Sequence, residues 1–338
     1  QLVFIQQRGV RFPLGPPITM KYKIAVIEEI HKDGLELLDK HPDYEYELIT
    51  DISEDNLIKK LPNFDACTLR VSKLDENILK HCAKLKAISR HGVGFDNVDL
   101  DYIKKNNISL LITATANAVA VAEHVISMFL SLSKSISKYD EEVRKGNFKL
   151  NADKIQTFEL LNKNILIAGF GRIGKKLISR CLAFDTKVHV YDPYVEEKII
   201  NEFGGIKVDR IEDGLRIADY VSLHMPLTNE TKNLINYSVL KTMKKNSIIV
   251  NTARGGIINE LELEKALNEG LIFGAALDVF SKEPVEKDNP LLKNKKVILS
   301  PHSATFTDEC TSRMGIETTK NIIDFFENRI DKSMIVKL

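Results

Sequence analysis

The stretch 164–194, NILIAGFGRIGKKLISRCLAFDTKVHVYDPY, constrains this chain more than any other. An apolar, β-branched run leads into Gly169, Gly171 and Gly174, spaced G-x-G-x-x-G, and a helical pattern opens directly behind them. Gly169 suits a tight turn, Gly171 lets main chain approach a pyrophosphate, and Gly174 lets the helix lie close on the strand. The start of that helix offers N–H groups and the positive end of its dipole to an anion. By itself the glycine spacing is a weak signal. Here a second β-rich run follows and ends in Asp192, at the distance where an acid accepts hydrogen bonds from a ribose. Pro193 and Tyr194 come next rather than arginine, so a 2′-phosphate would be repelled. The segment reads as a dinucleotide site that prefers NAD to NADP.

The same strand-then-helix rhythm fills the rest of the chain from Met20. KIAVI, YELIT, ACTLRV, LKAISRHG and SLLITA read as strands, with KDGLELLDK, EDNLIKKL and DENILKHC as intervening helices. A long helical pattern over 117–145 and a polar loop over 145–163 separate this series from a second one. The second series runs NILIAGF, KVHVYD, YVSLHM, SIIVNTA, FGAALDVF and KVILSP, and the last thirty residues return to helix. Alternation of this kind implies parallel sheets covered by helices on both faces, hence an α/β chain of two doubly wound domains. A cleft between two such domains is the default place to look for chemistry. Residues 1–19 lack the apolar core and small-residue cleavage site of a signal peptide and read as an extension outside the fold.

Composition narrows the function classes. Lys+Arg 48 against Asp+Glu 47 leaves a net charge of +1, which gives no global attraction to nucleic acid or to an anionic membrane. The most apolar stretch, AVAVAEHVISMFLSLSKSIS, is interrupted by Glu123, His124 and Lys134 and reads as a core helix rather than a membrane span. Cys67, Cys82, Cys181 and Cys310 form no CxxC pair, so reduced thiols in the cytoplasm fit better than disulfides or a metal site.

Three strands of the second series end in chemically useful residues: SIIVNTARGG in Arg254, FGAALDVFSKEP in Asp278 and then Glu283, and KVILSPHSATF in His302. Strand ends of a parallel sheet share one edge with the glycine loop, so Arg254, Glu283 and His302 are expected to converge on one ligand. An arginine forks onto a carboxylate and polarises a neighbouring carbonyl, a histidine moves the hydroxyl proton, and a carboxylate orients the imidazole. Singly, each has a bland reading as a surface or loop residue; together they suit hydride transfer at a carbon beside a carboxylate. Of the other histidines, His124 reads as a packing residue or interdomain contact, His224 as structural, and His91 as equally a ligand neighbour or a surface residue.

With RHGVGFDNVD, AGFGRIG, YDPY, HMPLTNET, NTARGGIINELELEKAL, GAALDVFSKEP and PHSA in this order, the chain resembles the D-isomer-specific 2-hydroxyacid dehydrogenase family. Within it the chain resembles most the D-3-phosphoglycerate dehydrogenase branch. The resemblance implies a Rossmann-type NAD domain (120–304) inserted into a flavodoxin-like substrate domain (20–119, with 305–338 returning to it), and a homodimer. It implies Arg254, Glu283 and His302 as the catalytic group. It implies Arg172 and Ile173 at the pyrophosphate, Met225, Thr252 and Ala253 beside the cofactor, and Asp278 on the nicotinamide carboxamide. For the substrate it implies the main chain of Val93 and Gly94 in the HGVG loop and, more loosely, Arg70 and Ser72. The substrate stays open among 3-phosphoglycerate, hydroxypyruvate or glyoxylate, sulfolactate and other D-2-hydroxy acids, with Arg70 and Lys73 as receivers for a second anionic group. An NAD(H)-sensing co-repressor-like protein is the alternative from another class. A formate dehydrogenase-like reading is disfavoured, because that chemistry goes with Gln where Glu283 stands.

Overall fold

The computed structural model describes residues 21–148 and 155–338. The expected extension 1–19 and part of the loop 145–163 lie outside the described residues. Along the first series run β1 (Tyr22–Ile27), α1 (Lys32–Asp39), β2 (Tyr44–Ile49), α2 (Glu54–Lys60), β3 (Ala66–Leu69), α3 (Glu76–Leu79), β4 (Ala87–Arg90), α4 (Leu100–Lys105) and β5 (Ser109–Ile112). Two helices follow, α5 (Ala118–Lys134) and α6 (Ile136–Arg144). The second series comprises β6 (Asn164–Ala168), α7 (Arg172–Leu182), β7 (Lys187–Tyr191), α8 (Glu197–Glu202), β8 (Ile206–Lys207), α9 (Ile211–Ile217) and β9 (Tyr220–Leu223). It continues with α10 (Tyr237–Leu240), β10 (Ile248–Asn251), α11 (Glu260–Asn268), β11 (Gly274–Leu277), β12 (Val297–Leu299) and α12 (Asp308–Phe326). The backbone divides into two compact units, one of the residues up to Ala114 with Met314–Leu338, the other Thr115–Arg313.

The first unit holds a five-stranded parallel sheet in the order β2-β1-β3-β4-β5, the flavodoxin-like arrangement. Side chains alternate between its faces. Ala25 and Ile27 of β1 join a core with α2, α3 and α4, while Ile24 and Val26 join Leu38 of α1 with Ile322 and Ile323 of α12. The α1–α12 approach is close enough that a Cβ on Gly34 would lie 2.5 Å from the Gly315 carbonyl oxygen.

In the second unit seven parallel strands follow the order β12-β11-β10-β9-β6-β7-β8, a Rossmann order with one strand added beyond β11. The two-residue strand β8 has no counterpart in the sequence reading, being too short to show a periodicity. Ile165 and Ile167 of β6 pack with α5 and α7 on one face, and Leu166 and Ala168 with α9 and α11 on the other. The helix expected over 117–145 breaks at Ser135, whose φ of 51° ends α5 in a left-handed turn. α5 buries nine of its residues, whereas α6 buries none. Among the described residues no single helix is long and apolar enough to cross a membrane.

Candidate active site

Because all seven strands are parallel, the segments that leave β6, β7, β9, β10, β11 and β12 emerge at one edge of the second sheet. The glycine loop comes first. Gly169 has a φ of 102°, and a Cβ there would lie 2.7 Å from the His224 carbonyl oxygen. On Gly174 a Cβ would meet the Gly169 carbonyl oxygen at 2.5 Å, so α7 lies against the turn as the spacing predicts. Gly171 differs: a Cβ there meets nothing within 4 Å, because this position faces open space. No side chain caps the first turn of α7, where Arg172 is exposed and Ile173 half-buried. Asp192 completes the loop from the neighbouring strand. Its Oδ2 accepts from Phe170 N–H at 2.8 Å and its Oδ1 from Tyr194 N–H at 2.9 Å, which locks the carboxylate at the strand end. Each oxygen keeps a second lone pair for a ribose hydroxyl.

From β9 and β10 come Met225 and Thr252, both buried, and Ala253. Thr252 Oγ1 is buried with no hydrogen-bond partner among the described residues. A buried orphan hydroxyl, an uncapped helix start and an open glycine at one sheet edge are what a dinucleotide would fill, so these residues fit the cofactor that the motif implies. Asn251, which the sequence reading passed over, bends the chain behind Thr252. Its Oδ1 accepts from Ala253 N–H at 3.0 Å and its Nδ2 donates to Arg254 O at 2.8 Å.

His302 Nδ1 and Glu283 Oε2 lie 2.8 Å apart, and Glu283 Oε1 accepts from Phe280 N–H at 3.0 Å. The pair is open to solvent, with the His302 side chain 53% exposed. The hydrogen bond and charge of Glu283, with the charge of Asp278, raise the His302 pKa above its ordinary value, against burial and Arg254. Burial opposes ionisation of Glu283, but hydrogen bonds from His302 and Phe280 N–H, with the charges of His302 and Arg254, hold its carboxyl below the ordinary value. Arg254 thus lies within electrostatic reach of both partners. Its Nη1 donates to Ala253 O at 2.7 Å.

Asp278 occupies a different setting from the exposed pair. It is 1% exposed, and its carboxylate accepts from Ser300 Oγ at 2.5 Å, Ser303 N–H at 2.8 Å and Ala304 N–H at 3.0 Å. His124 does more than pack, since its Nε2 lies 3.1 Å from Ser300 Oγ. Burial pushes the His224 imidazole down to about 4, and its Nε2 pairs with Ser222 Oγ at 2.8 Å, in keeping with a structural role.

The residues implied for substrate stand at the carboxyl edge of the first unit's own sheet. Ser72 is buried, and Glu28 Oε2 accepts from Val71 N–H, Ser72 N–H and Ser72 Oγ at 2.9, 3.0 and 2.9 Å. Ser72 therefore pins its loop to Glu28. Arg70 Nη1 donates to Glu29 O at 2.7 Å, and Lys73 pairs with Asp75 at 3.0 Å. In the loop after β4, Gly92 has a φ of 148° and Val93 and Gly94 are half-buried. Arg90 braces this loop, its Nε donating to Gly94 O at 2.6 Å and its Nη1 to Leu69 O at 2.7 Å. Burial and the nearby charges of Arg70 and Arg90 push the His91 imidazole down to about 4, so it is neutral rather than a surface cation. Glu28 and Arg90 escaped the sequence reading because Ser72 and Leu69, which they hold, lie far off in sequence.

Comparison with known proteins gives this geometry its family. Residues 126–304, more than half of the chain, match the NAD binding domain of the D-isomer specific 2-hydroxyacid dehydrogenases. A D-3-phosphoglycerate dehydrogenase of Methanocaldococcus jannaschii is 33% identical over 93% of this chain, which spans only 59% of that relative. A glyoxylate reductase of Thermococcus litoralis is 34% identical, covering 94% of this chain and 98% of the relative. Among solved structures, the D-lactate dehydrogenase of Aquifex aeolicus complexed with NAD and lactic acid has a TM-score of 0.81 at 28% identity, covering 93% of this chain and 98% of that one. With the matched domain, the full-length relative and the strand orders agreeing, the chain belongs to the D-isomer specific 2-hydroxyacid dehydrogenase family.

Proposed function

We propose that this protein is an NAD-dependent dehydrogenase interconverting a D-2-hydroxy acid and its 2-keto acid, with Arg254, Glu283 and His302 as its catalytic residues. The observation that carries this reading is the 2.8 Å His302–Glu283 pair at the same sheet edge as the glycine loop, with Arg254 acting on both electrostatically. NADH, when bound, supplies the hydride that reduces C2. His302 Nε2 gives its proton to the carbonyl oxygen, and Glu283 holds Nδ1 so that the imidazole keeps that proton until it is needed. Arg254 forks onto the substrate carboxylate and draws electron density from the carbonyl. Arg172, Ile173 and the first-turn amides of α7 hold the pyrophosphate, Asp192 the ribose, and Met225, Thr252 and Ala253 line the nicotinamide end. Val93 and Gly94 offer main-chain N–H groups to the substrate's anionic end.

The relatives support two substrate classes equally, phosphoglycerate and glyoxylate. We favour an acid with a second anionic group, 3-phosphoglycerate first, because Arg70 stands beside the Val93–Gly94 loop and its charge reaches His91 within it. A homodimer is supported by α6, which buries no residue and exposes Ile136 and Val143. Purified protein with NADH is to be offered 3-phosphohydroxypyruvate, hydroxypyruvate, glyoxylate and pyruvate while NADH absorbance is followed. Turnover with the phosphorylated acid at the highest kcat/KM is expected. Tight NADH binding without turnover on any of the four would favour a sensor instead.

A further inference from the structure

The imidazole of His302 stands on a backbone that does not hold itself. Its φ of 52° is left-handed, a conformation that a side-chain-bearing residue keeps only where its surroundings impose it. Those surroundings converge on Asp278. The Asp278 carbonyl oxygen accepts from His302 N–H at 2.7 Å, and its carboxylate takes the next two amides, Ser303 and Ala304. With its single hydrogen given to Asp278, Ser300 Oγ can only accept from His124, so His124 presents Nε2–H. His124 belongs to α5, a helix that packs against β10, β11 and α7, and its Nε2 also lies 3.8 Å from Asp278 Oδ1.

We propose that His124 is a positioning residue for the catalytic histidine: its Nε2–H fixes Ser300, Ser300 fixes Asp278, and Asp278 fixes the turn on which His302 stands. His124 acts through Ser300 and Asp278. Its effect is to keep His302 Nδ1 facing Glu283, so that Nε2 keeps one direction through the catalytic cycle. Charged groups acting on the His302 imidazole are Glu283, Asp278 and Arg254, and Asp278 is the one His124 faces. The inference rests on reading His302 as the proton donor, so the test separates the two.

The measurement is 1H–15N NMR of the imidazoles in the protein without cofactor, with His302→Ala assigning the resonance. His124→Phe fills the space but donates nothing, and His124→Gln places an N–H where Nε2 stood. In His124→Phe the Nδ1–H signal of His302 is expected to exchange freely and its titration midpoint to fall back toward the ordinary histidine value. His124→Gln should retain both. Assayed with NADH and glyoxylate or hydroxypyruvate, His124→Phe should lose about tenfold in kcat with the KM for NADH within about twofold, and His124→Gln should recover most of it. Ser300→Ala, which leaves α5 untouched, should reproduce the NMR changes and carries the test if His124→Phe fails to fold. An unchanged His302 signal in folded His124→Phe, or His124→Gln as impaired as His124→Phe, overturns the proposal. Turnover by His302→Ala would instead overturn the proton-donor reading, while the NMR still judges the positioning.

Discussion

A proton-donating imidazole, the role proposed for His302, must hold its proton at working pH, and its neighbours favour the charged ring. Glu283 first, then Asp278, raise its pKa above 6.5. Reduction uses the protonated ring, so kcat/KM for a keto acid should be level at low pH and fall as pH rises through the raised pKa; oxidation should show the opposite limb. Glu283→Gln removes the charge that raises it, so the limb should move to lower pH in a pH–rate profile. His302→Ala should cut turnover by about 10²–10⁴-fold while NADH affinity stays within about twofold, measured by NADH fluorescence. Asp192 is a second residue whose surroundings define its use. Asp192→Asn keeps one of the two acceptors for the turn but loses the charge that repels a 2′-phosphate, so the ratio of NADH to NADPH affinity should fall by about tenfold in parallel titrations.

Elements carry these groups, and glycines show which contacts belong to the fold and which to a ligand. A Cβ on Gly255 would lie 1.8 Å from the Phe280 carbonyl oxygen, main chain against main chain, where the loop after β10 passes the loop after β11. Gly255→Ala should therefore cost about 3 kcal/mol of stability in urea denaturation, the upper end of ordinary overpacking. Gly171→Ala should cost less than about 1 kcal/mol, since nothing in the chain meets the added methyl, and yet should weaken NADH binding. Equal stability losses at the two positions would contradict this division. The loop that carries Glu283 is tied at both ends by one side chain from the start of α11. Glu260 Oε1 accepts from Ser281 N–H at 2.5 Å and its Oε2 from Asn289 Nδ2 at 2.6 Å.

At the scale of the whole molecule, a ligand that binds the folded second unit alone stabilises it by mass action. NAD at 100 times its Kd should add about 2.7 kcal/mol, seen as a higher melting temperature that Gly171→Ala diminishes. The two sheets also show how far the chain's plan could be read beforehand. Both strand series were visible as short runs between helices, because the inner parallel strands are buried on both faces and so are mostly apolar. β8 and the break at Ser135 were not: two residues carry no period, and serine in a left-handed turn leaves no mark in an otherwise helical pattern. In the site, the approach of Gly174 to Gly169 was legible because both lie within one strand-to-helix turn. The tie of Ser72 to Glu28 was not legible, since it joins residues 44 positions apart.

What the sequence determined by itself is local: strands and helices in alternation, a phosphate-cradling turn, and an arginine, a glutamate and a histidine each placed at the end of a run. Hydrophobic period and glycine spacing encode such features directly, because they depend on near neighbours. What only the tertiary structure decided is which atoms meet. Sheet order sets Phe170 N–H on Asp192 and His302 beside Glu283, and buries Asp278 among donors from the loop after β12. Hydrogen bonds act over about 3 Å, and no spacing in sequence fixes a distance that short between segments brought together by folding.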